Sequence, residues 1–159
     1  MSDRKTPILD HLDSSQQKIN GVFSRLQPAD WERQIQDEDQ MWTVRQILAH
    51  MLNSQRGQTN LITQISAGQE GASADFDVNR WNKRMVEKSA DKTPQDLMKE
   101  LDAGHIALKQ IIAGLNEADL NKRGRHGNLE VMSVEEIARL IGTHANDHAQ
   151  TIADKLGLK

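Results

Sequence analysis

The 159-residue sequence contains no cysteine, which excludes disulfide bonds, thiolate metal ligands and a cysteine nucleophile together. Any bound metal ion must therefore be held by nitrogen and oxygen donors. Tyrosine is also absent, and aromatic residues make up only 3% of the chain. The apolar residues are mainly Leu, Ile, Ala and Met. This composition is typical of helices rather than of β-sheets.

The chain also lacks an excess of one charge and any long apolar run. Its 20 Lys and Arg residues are interleaved with 23 Asp and Glu residues, for a net charge of −3. This balance argues against nucleic acids and anionic membranes as partners. No uncharged segment approaches the roughly 18 residues that span a bilayer, and the N-terminus lacks the apolar core of a signal peptide. We therefore expect a cytoplasmic protein that binds neither nucleic acid nor membrane.

Hydrophobic periodicity divides the chain into helices within one predicted domain, residues 1–159. Capping residues mark the starts of several helices, as in the Thr43 to Gln46 and Ser133 to Glu136 capping boxes. Asp77 is a candidate cap for a short helix. The predicted helices span residues 7–26, 43–67, about 78–88, 94–115 and 133–156.

The segments between these helices show no convincing strand. Residues 32–40 are predicted to be a connection, with a possible short turn of helix around Trp31, and residues 121–128 a basic, glycine-containing loop. Four long helices without strands predict an all-α four-helix bundle of the up-and-down type with one longer crossover connection.

His144 and His148 form the most informative pair in the sequence. Their four-residue spacing places both imidazoles on one face of the last helix, where they continue its apolar stripe. His50 lies at the edge of the apolar stripe of the second helix and can face the same interior. Neutral imidazoles bind zinc, nickel, copper or iron. Three histidines from two helices therefore predict an open metal site, and the alternative is a set of core histidines bonded to backbone carbonyls.

Two other kinds of metal site do not match the residues. A ferritin-like di-iron bundle requires Glu three residues before each histidine, but Ile141 and Ala145 occupy these positions. A zincin requires Glu directly after the first histidine, and that position is Ala145. A site of three neutral nitrogens should stay cationic and accept water or a thiolate at its open position.

Two further groups of residues have less specific patterns. The loop residues Lys122, Arg123, Arg125 and His126 could bind an anionic ligand, but a solvated charged loop is the favoured interpretation. Trp42 and Trp81 are expected to serve in core or rim packing rather than as platforms for a substrate.

These motifs resemble those of the DinB-like superfamily of four-helix bundles, and the resemblance extends over essentially the whole chain. The matching segments are WTVRQILAH at 42–50, FDVNRWN at 76–82, SVEEI at 133–137 and HANDH at 144–148. The resemblance implies a crossed bundle in which His50, His144 and His148 bind a divalent ion. Zinc and nickel are the favoured metals, with manganese and iron as alternatives.

The resemblance also implies functions, because characterised members include thiol-dependent S-transferases and maleylpyruvate isomerase. The first hypothesis is a metal-dependent thiol transferase or hydrolase that acts on a small-molecule thiol or electrophile. Asp147 or Asn146 would be candidates to orient a ligand imidazole. The second hypothesis is a non-catalytic, stress-related or interaction bundle with a structural metal or core histidines. A homodimer is expected under both hypotheses.

Overall fold

A computed structural model describes residues 3–38 and 40–158, and these residues form a four-helix bundle with short accessory elements. A 3-10 helix, Pro28–Glu32, follows the first helix and confirms the helical turn expected around Trp31. In chain order, the helices are α1 (Lys5–Phe23), α2 (Val44–Ser66), α3 (Val78–Lys88), α4 (Pro94–Gly114), α5 (Glu117–Asn121) and α6 (Val134–Leu156). The strands are β1 (Gln34–Asp37), β2 (Gln40–Thr43), β3 (Arg123–Arg125) and β4 (Val131–Ser133).

The four long helices α1, α2, α4 and α6 confirm the predicted bundle. Helix α1 packs against α6 and α4, and α2 packs against the same two helices. Helices α1 and α2 therefore occupy opposite corners, and the connection between them crosses the end of the bundle. Within the described ranges, no helix is both long enough and apolar enough to cross a membrane.

The capping residues explain where most helices begin. Thr43, Asp77, Thr93 and Ser133 each accept a hydrogen bond from a backbone N–H in the first turn, as predicted for α2, α3 and α6. Helix α1 differs from the prediction because it begins at Lys5 rather than at Pro7. The side chain of Asp3 accepts hydrogen bonds from the N–H groups of Lys5 and Thr6, so the first turn forms earlier.

The prediction that the chain has no strands was wrong, because two short antiparallel hairpins flank the helices. Strands β1 and β2 pair ahead of α2, and β3 pairs with β4 ahead of α6. In β1, Ile35 and Asp37 are buried while Gln34 and Gln36 are exposed. Because Asp37 is polar but buried, β1 does not show the alternation of apolar and polar residues that predicts a strand. Strand β3 is only three residues long and contains no hydrophobic side chain.

The interior of the bundle contains two apolar clusters rather than one. One cluster includes Ile19, Leu48 and Leu101, and the other includes Leu12, Ile62 and Leu108. On each long helix, polar or small residues separate the positions that enter the two clusters. These intervening residues include Ser15, Gln16, Gln55, Gln58, Gly104 and His148. The fold therefore places a polar layer inside the bundle, and the candidate site lies in this layer.

Candidate metal centre

Helices α2 and α6 bring His50, His144 and His148 together in the polar layer. The ring centroids of His50 and His148 are 4.9 Å apart, with the rings nearly perpendicular. The centroids of His144 and His148 are 6.1 Å apart. His50 and His148 are only 6% and 4% exposed, whereas His144 is half-buried. The structure thus groups the three histidines that the sequence singled out.

The nitrogen donors suit a first-row transition metal, although the three side chains do not already form a metal-binding group. Across residues 3–38 and 40–158, no three or more His, Asp or Glu side chains already form a group that could hold a metal ion. The ring nitrogens of His50 and His144 make no hydrogen bond to another described residue. Their lone pairs therefore have no competing protein donor, and three imidazoles are a donor set that zinc and nickel accept.

Asp37 is a residue of the candidate site that sequence reasoning missed. It lies at the end of β1, is 5% exposed, and accepts a hydrogen bond of 2.6 Å from Nδ1–H of His148 at Oδ2. This bond assigns the hydrogen to Nδ1 and leaves Nε2 available for a metal ion. The proposed orienting residues Asp147 and Asn146 do not make this contact. Asp147 is exposed, and it affects His144 and His148 only through its charge, which acts to raise their pKa values.

Burial and charge set the protonation of the three histidines differently. Burial, together with the neighbouring His148, lowers the pKa of His50 to about 4. Burial and His148 also lower the pKa of His144. Burial acts to lower the pKa of His148 too, but the hydrogen bond and negative charge of Asp37 outweigh it and raise that pKa. Near neutral pH, His50 and His144 are therefore uncharged and ready to bind a cation.

Trp42 packs against the edge of the site, as expected for core packing. Its ring centroid is 5.0 Å from that of His50, and the residue is 9% exposed. Strand β2 places Trp42 directly before α2, and the Thr43 cap fixes the start of that helix. The hairpin β1–β2 therefore supplies both an aromatic neighbour for His50 and the carboxylate partner of His148.

A cavity of about 560 Å³ opens beside His50 and His144. Its size falls in the range of pockets that hold small molecules. Phe76 and Trp81 form an apolar wall, with ring centroids 6.2 Å apart. Trp81 packs on Gly57, where an added Cβ would lie 3.2 Å from the indole ring. Trp81 thus serves in rim packing, as expected, and it also lines the cavity.

The basic loop is mostly solvated, as the sequence indicated, but it contains one exception. Lys122 and Arg123 form exposed ion pairs with Asp119 and Glu136. His126, in contrast, is only 6% exposed and lines the cavity. His126 directly follows the three-residue strand β3 and turns inward. The basic residues around it in the sequence do not indicate this burial. His126 is thus a cavity residue that sequence reasoning placed in a solvated loop.

The fold and the site together define a class of protein: a crossed four-helix bundle with a buried histidine cluster that opens to a cavity. A family model described as the DinB superfamily matches residues 6–152. The chain therefore belongs to the DinB superfamily. No curated protein matches the sequence.

Solved structures show the same fold at low sequence identity. YfiT from Bacillus subtilis, described as a probable metal-dependent hydrolase with an unusual four-helix bundle topology, is 16% identical, with a TM-score of 0.80; the match covers 100% of this chain and 91% of YfiT. A mycothiol-dependent maleylpyruvate isomerase is 13% identical, with a TM-score of 0.79; the match covers 96% of this chain and 63% of that chain.

A third structure extends the functional range of the fold. The colibactin self-resistance protein ClbS, solved in complex with double-stranded DNA, is 10% identical, with a TM-score of 0.76. That match covers 96% of this chain and 95% of ClbS. At such identities the likeness shows the fold alone, so the chemistry of this protein has to be argued from its own residues.

Proposed function

We propose that this protein is a metal-dependent enzyme in which His50, His144 and His148 hold one divalent transition metal ion. The observation that carries the proposal is the buried histidine cluster with Asp37 bound to Nδ1 of His148. A carboxylate behind a metal-binding imidazole fixes its orientation and raises its basicity. Zinc and nickel suit three nitrogen donors, with manganese and iron as alternatives.

The favoured reaction is the transfer of a small-molecule thiol to an electrophile. A bound divalent ion lowers the pKa of a thiol or water molecule at its open position. The protein's own residues position the ligand: His50 and His144 border the cavity, and Phe76 and Trp81 cover its apolar side. The mycothiol-dependent isomerase with the same fold supports a thiol as the reacting partner.

Turnover of a thiol and electrophile panel tests this reaction. Zinc-loaded and nickel-loaded protein is assayed beside His148→Ala, with His11→Gln as a matched histidine control. His11 is half-buried on α1, its ring contacts the carbonyl of Arg139, and it does not line the cavity. We expect activity in the wild type and in His11→Gln, and its loss in His148→Ala. Equal activity in all three variants would assign the turnover to free metal or to a different site.

A hydrolase is the second candidate, and the position of Glu38 favours it. Its carboxylate lines the cavity beside His50 and His144, where it can accept a proton from an attacking water. The likeness to YfiT, a probable metal-dependent hydrolase, also supports this alternative. Replacement of Glu38 by Gln should abolish hydrolysis of an activated ester but leave thiol transfer largely intact. Loss of both activities together would show that Glu38 has no role specific to hydrolysis.

The non-catalytic alternative differs from both in its response to loss of the metal. A structural ion contributes directly to folding, so its removal should lower the melting temperature strongly. An ion in an open catalytic site should change stability only modestly. The homodimer is also a prediction, and sedimentation equilibrium measures the oligomeric state directly.

A further inference from the structure

Ser54 lies one helical turn after His50 on α2, so the two side chains leave the same face of the helix. Both residues line the cavity beside the histidine cluster. Ser54 and His50 therefore belong to the same wall of the cavity. No sequence motif marks this serine, and the proposed function gives it no role.

A chain of three hydrogen bonds reaches Ser54 from the opposite wall of the cavity. The backbone N–H of Asn128 donates to Nδ1 of His126 at 3.1 Å. The other ring nitrogen of His126, Nε2, is 2.8 Å from Oε1 of Gln58. Nε2 of Gln58 then donates to Oγ of Ser54 at 3.0 Å. We call these four residues the Ser54 relay.

The first bond fixes the direction of every other bond in the Ser54 relay. A backbone N–H can only donate, so Nδ1 of His126 must accept and Nε2 must bear the hydrogen. Nε2–H therefore donates to the oxygen of Gln58, and the amide nitrogen of Gln58 can only donate to Ser54. Since His126 and Gln58 are each 6% exposed, a turn of either side chain would leave a buried polar group without a hydrogen-bond partner.

The end of the Ser54 relay leaves one hydrogen-bond donor unused. Ser54 accepts from Gln58, and its own hydroxyl hydrogen makes no bond to another described residue. The hydrogen bond from Gln58 occupies one lone pair of the Ser54 oxygen, so the O–H of Ser54 is directed away from Gln58. A buried chain of side chains thus presents a single donor at the cavity surface, one turn from His50.

The rest of the cavity wall indicates what such a donor would meet. Among the described residues, neither Lys nor Arg lines the cavity, and Glu38 is the lone carboxylate there. The other polar lining groups are mostly carboxamides, including those of Asn60, Asn79 and Asn82. Away from the histidine cluster, a wall of this kind gives no compensation for an anionic group, and it favours uncharged groups that accept and donate hydrogen bonds.

We propose that Ser54, oriented by the relay through Gln58 and His126, donates a hydrogen bond to an uncharged oxygen of the ligand. The ligand class is a thiol whose non-reacting portion bears hydroxyl or amide oxygens. The inference rests on the proposed function because it assumes that the sulfur of the ligand thiol binds the metal ion. The hydrogen-bond donor, the Ser54 hydroxyl, does not depend on that assumption. Ser54 is a specificity-determining residue, and His126 and Gln58 are positioning residues that act through it.

A matched pair of thiols tests the proposal by NMR titration of the full chain, both metal-free and zinc-loaded. 3-Mercapto-1-propanol and 1-butanethiol differ only in a hydroxyl group that replaces a methyl group. We expect wild-type protein to bind the hydroxyl thiol about threefold to tenfold more tightly, as for one hydrogen bond. Ser54→Ala should remove this preference, and Ser54→Thr, which keeps the hydroxyl, should retain it.

The relay has its own readout in the same samples. The nitrogen chemical shifts of His126 should show the hydrogen on Nε2 in wild type and in Ser54→Ala alike. His126→Phe should reduce the preference for the hydroxyl thiol without a change in zinc content, because Gln58 is then free to turn. A protein whose fold alone depends on His126 would lose affinity for both thiols equally.

The outcomes separate this proposal from the proposed function. The role of Ser54 is overturned if the zinc-binding protein has the same affinity for the two thiols. It is also overturned if Ser54→Ala keeps the preference for the hydroxyl thiol. Tighter binding of 3-mercaptopropionate than of 3-mercapto-1-propanol overturns the uncharged ligand class. A protein that binds no zinc but still shows the Ser54-dependent preference contradicts the metal enzyme and supports the donor.

Discussion

Asp37 on β1 and His148 on α6 form a buried pair whose Oδ2 and Nδ1 atoms are 2.6 Å apart. The two residues are 111 positions apart in sequence, so the pair joins the first hairpin to the last helix. This contact orients one imidazole of the histidine cluster, and it makes several consequences measurable.

The carboxylate of Asp37 should strengthen metal binding through His148. Replacement by Asn removes the negative charge but keeps the size of the side chain, and such changes behind a ligand typically weaken metal affinity about 10-fold to 100-fold. Competition with a chromophoric chelator measures the affinity. Asp147→Asn, one residue from His148 but exposed, is the matched control and should weaken binding far less, because Asp147 makes no hydrogen bond to His148. Equal affinities for Asp37→Asn and wild type would contradict the role of Asp37.

Metal binding near pH 6.5 should release protons, mainly from His148. The hydrogen bond and charge of Asp37 raise the pKa of His148, so that ring is more protonated at this pH than a free histidine. The pKa of His50 is lowered to about 4 and that of His144 is also lowered, so both rings are less protonated than a free histidine and release less. Calorimetric titration with zinc in two buffers of different ionisation enthalpy counts the protons. Asp37→Asn should release fewer, and proton release unchanged in that variant would contradict this assignment.

The stability of the metal-free protein should fall in acid because of His50. Its pKa is about 4 in the folded protein, compared with 6.5 for a free histidine. Between these values the unfolded chain binds a proton that the folded protein does not, so the free energy of unfolding falls as the pH falls. The total loss attributable to His50 is about 3 kcal/mol.

Urea unfolding at pH 7, 5.5 and 4.5 measures this loss in the wild type and in His50→Gln. The variant should show a shallower dependence on pH. His148 works in the opposite direction, because its raised pKa contributes stability below pH 6.5 that is lost as the pH rises through its folded value. Comparison of the two proteins cancels this contribution. An identical pH dependence would show that His50 is not desolvated.

Gly71 should be required for the wall of the cavity. Its φ is +91°, and an added Cβ would lie 2.5 Å from the carbonyl oxygen of Arg125. Gly68 has nearly the same φ, +92°, but no atom within 4 Å of that position. Gly68→Ala should cost about 1 kcal/mol from backbone strain alone. Gly71→Ala should cost at least twice as much, and equal melting temperatures for the two variants would contradict the close approach.

The sequence predicted the helices well because their signals are local. Capping boxes at Thr43 and Ser133 and the apolar periodicity place the starts of α2 and α6 at the observed residues. The position of His50 on the inward edge of its helix follows from the same periodicity. Proximity of the three histidines was therefore a reasonable inference from helical geometry, although their role as ligands is still a prediction.

The parts that sequence reasoning missed depend on contacts between distant segments. Asp37 is a single carboxylate in a polar segment, and its burial depends on the pairing of β1 with β2 and on α6. His126 looked like part of a basic loop, and its burial depends on Gln58, 68 positions away. Neither contact produces a periodic pattern, so one sequence contains no signal for them.

Metal content is the measurement that tests the central claim most directly. Untagged protein is purified without chelator and analysed by elemental mass spectrometry, beside His144→Ala/His148→Ala and the control His11→Gln. We expect about one transition metal ion per chain in the wild type and in His11→Gln, and almost none in the double variant. Equal metal in all three proteins, or none in the wild type even after incubation with zinc, nickel, manganese and iron, would contradict the three-histidine metal centre.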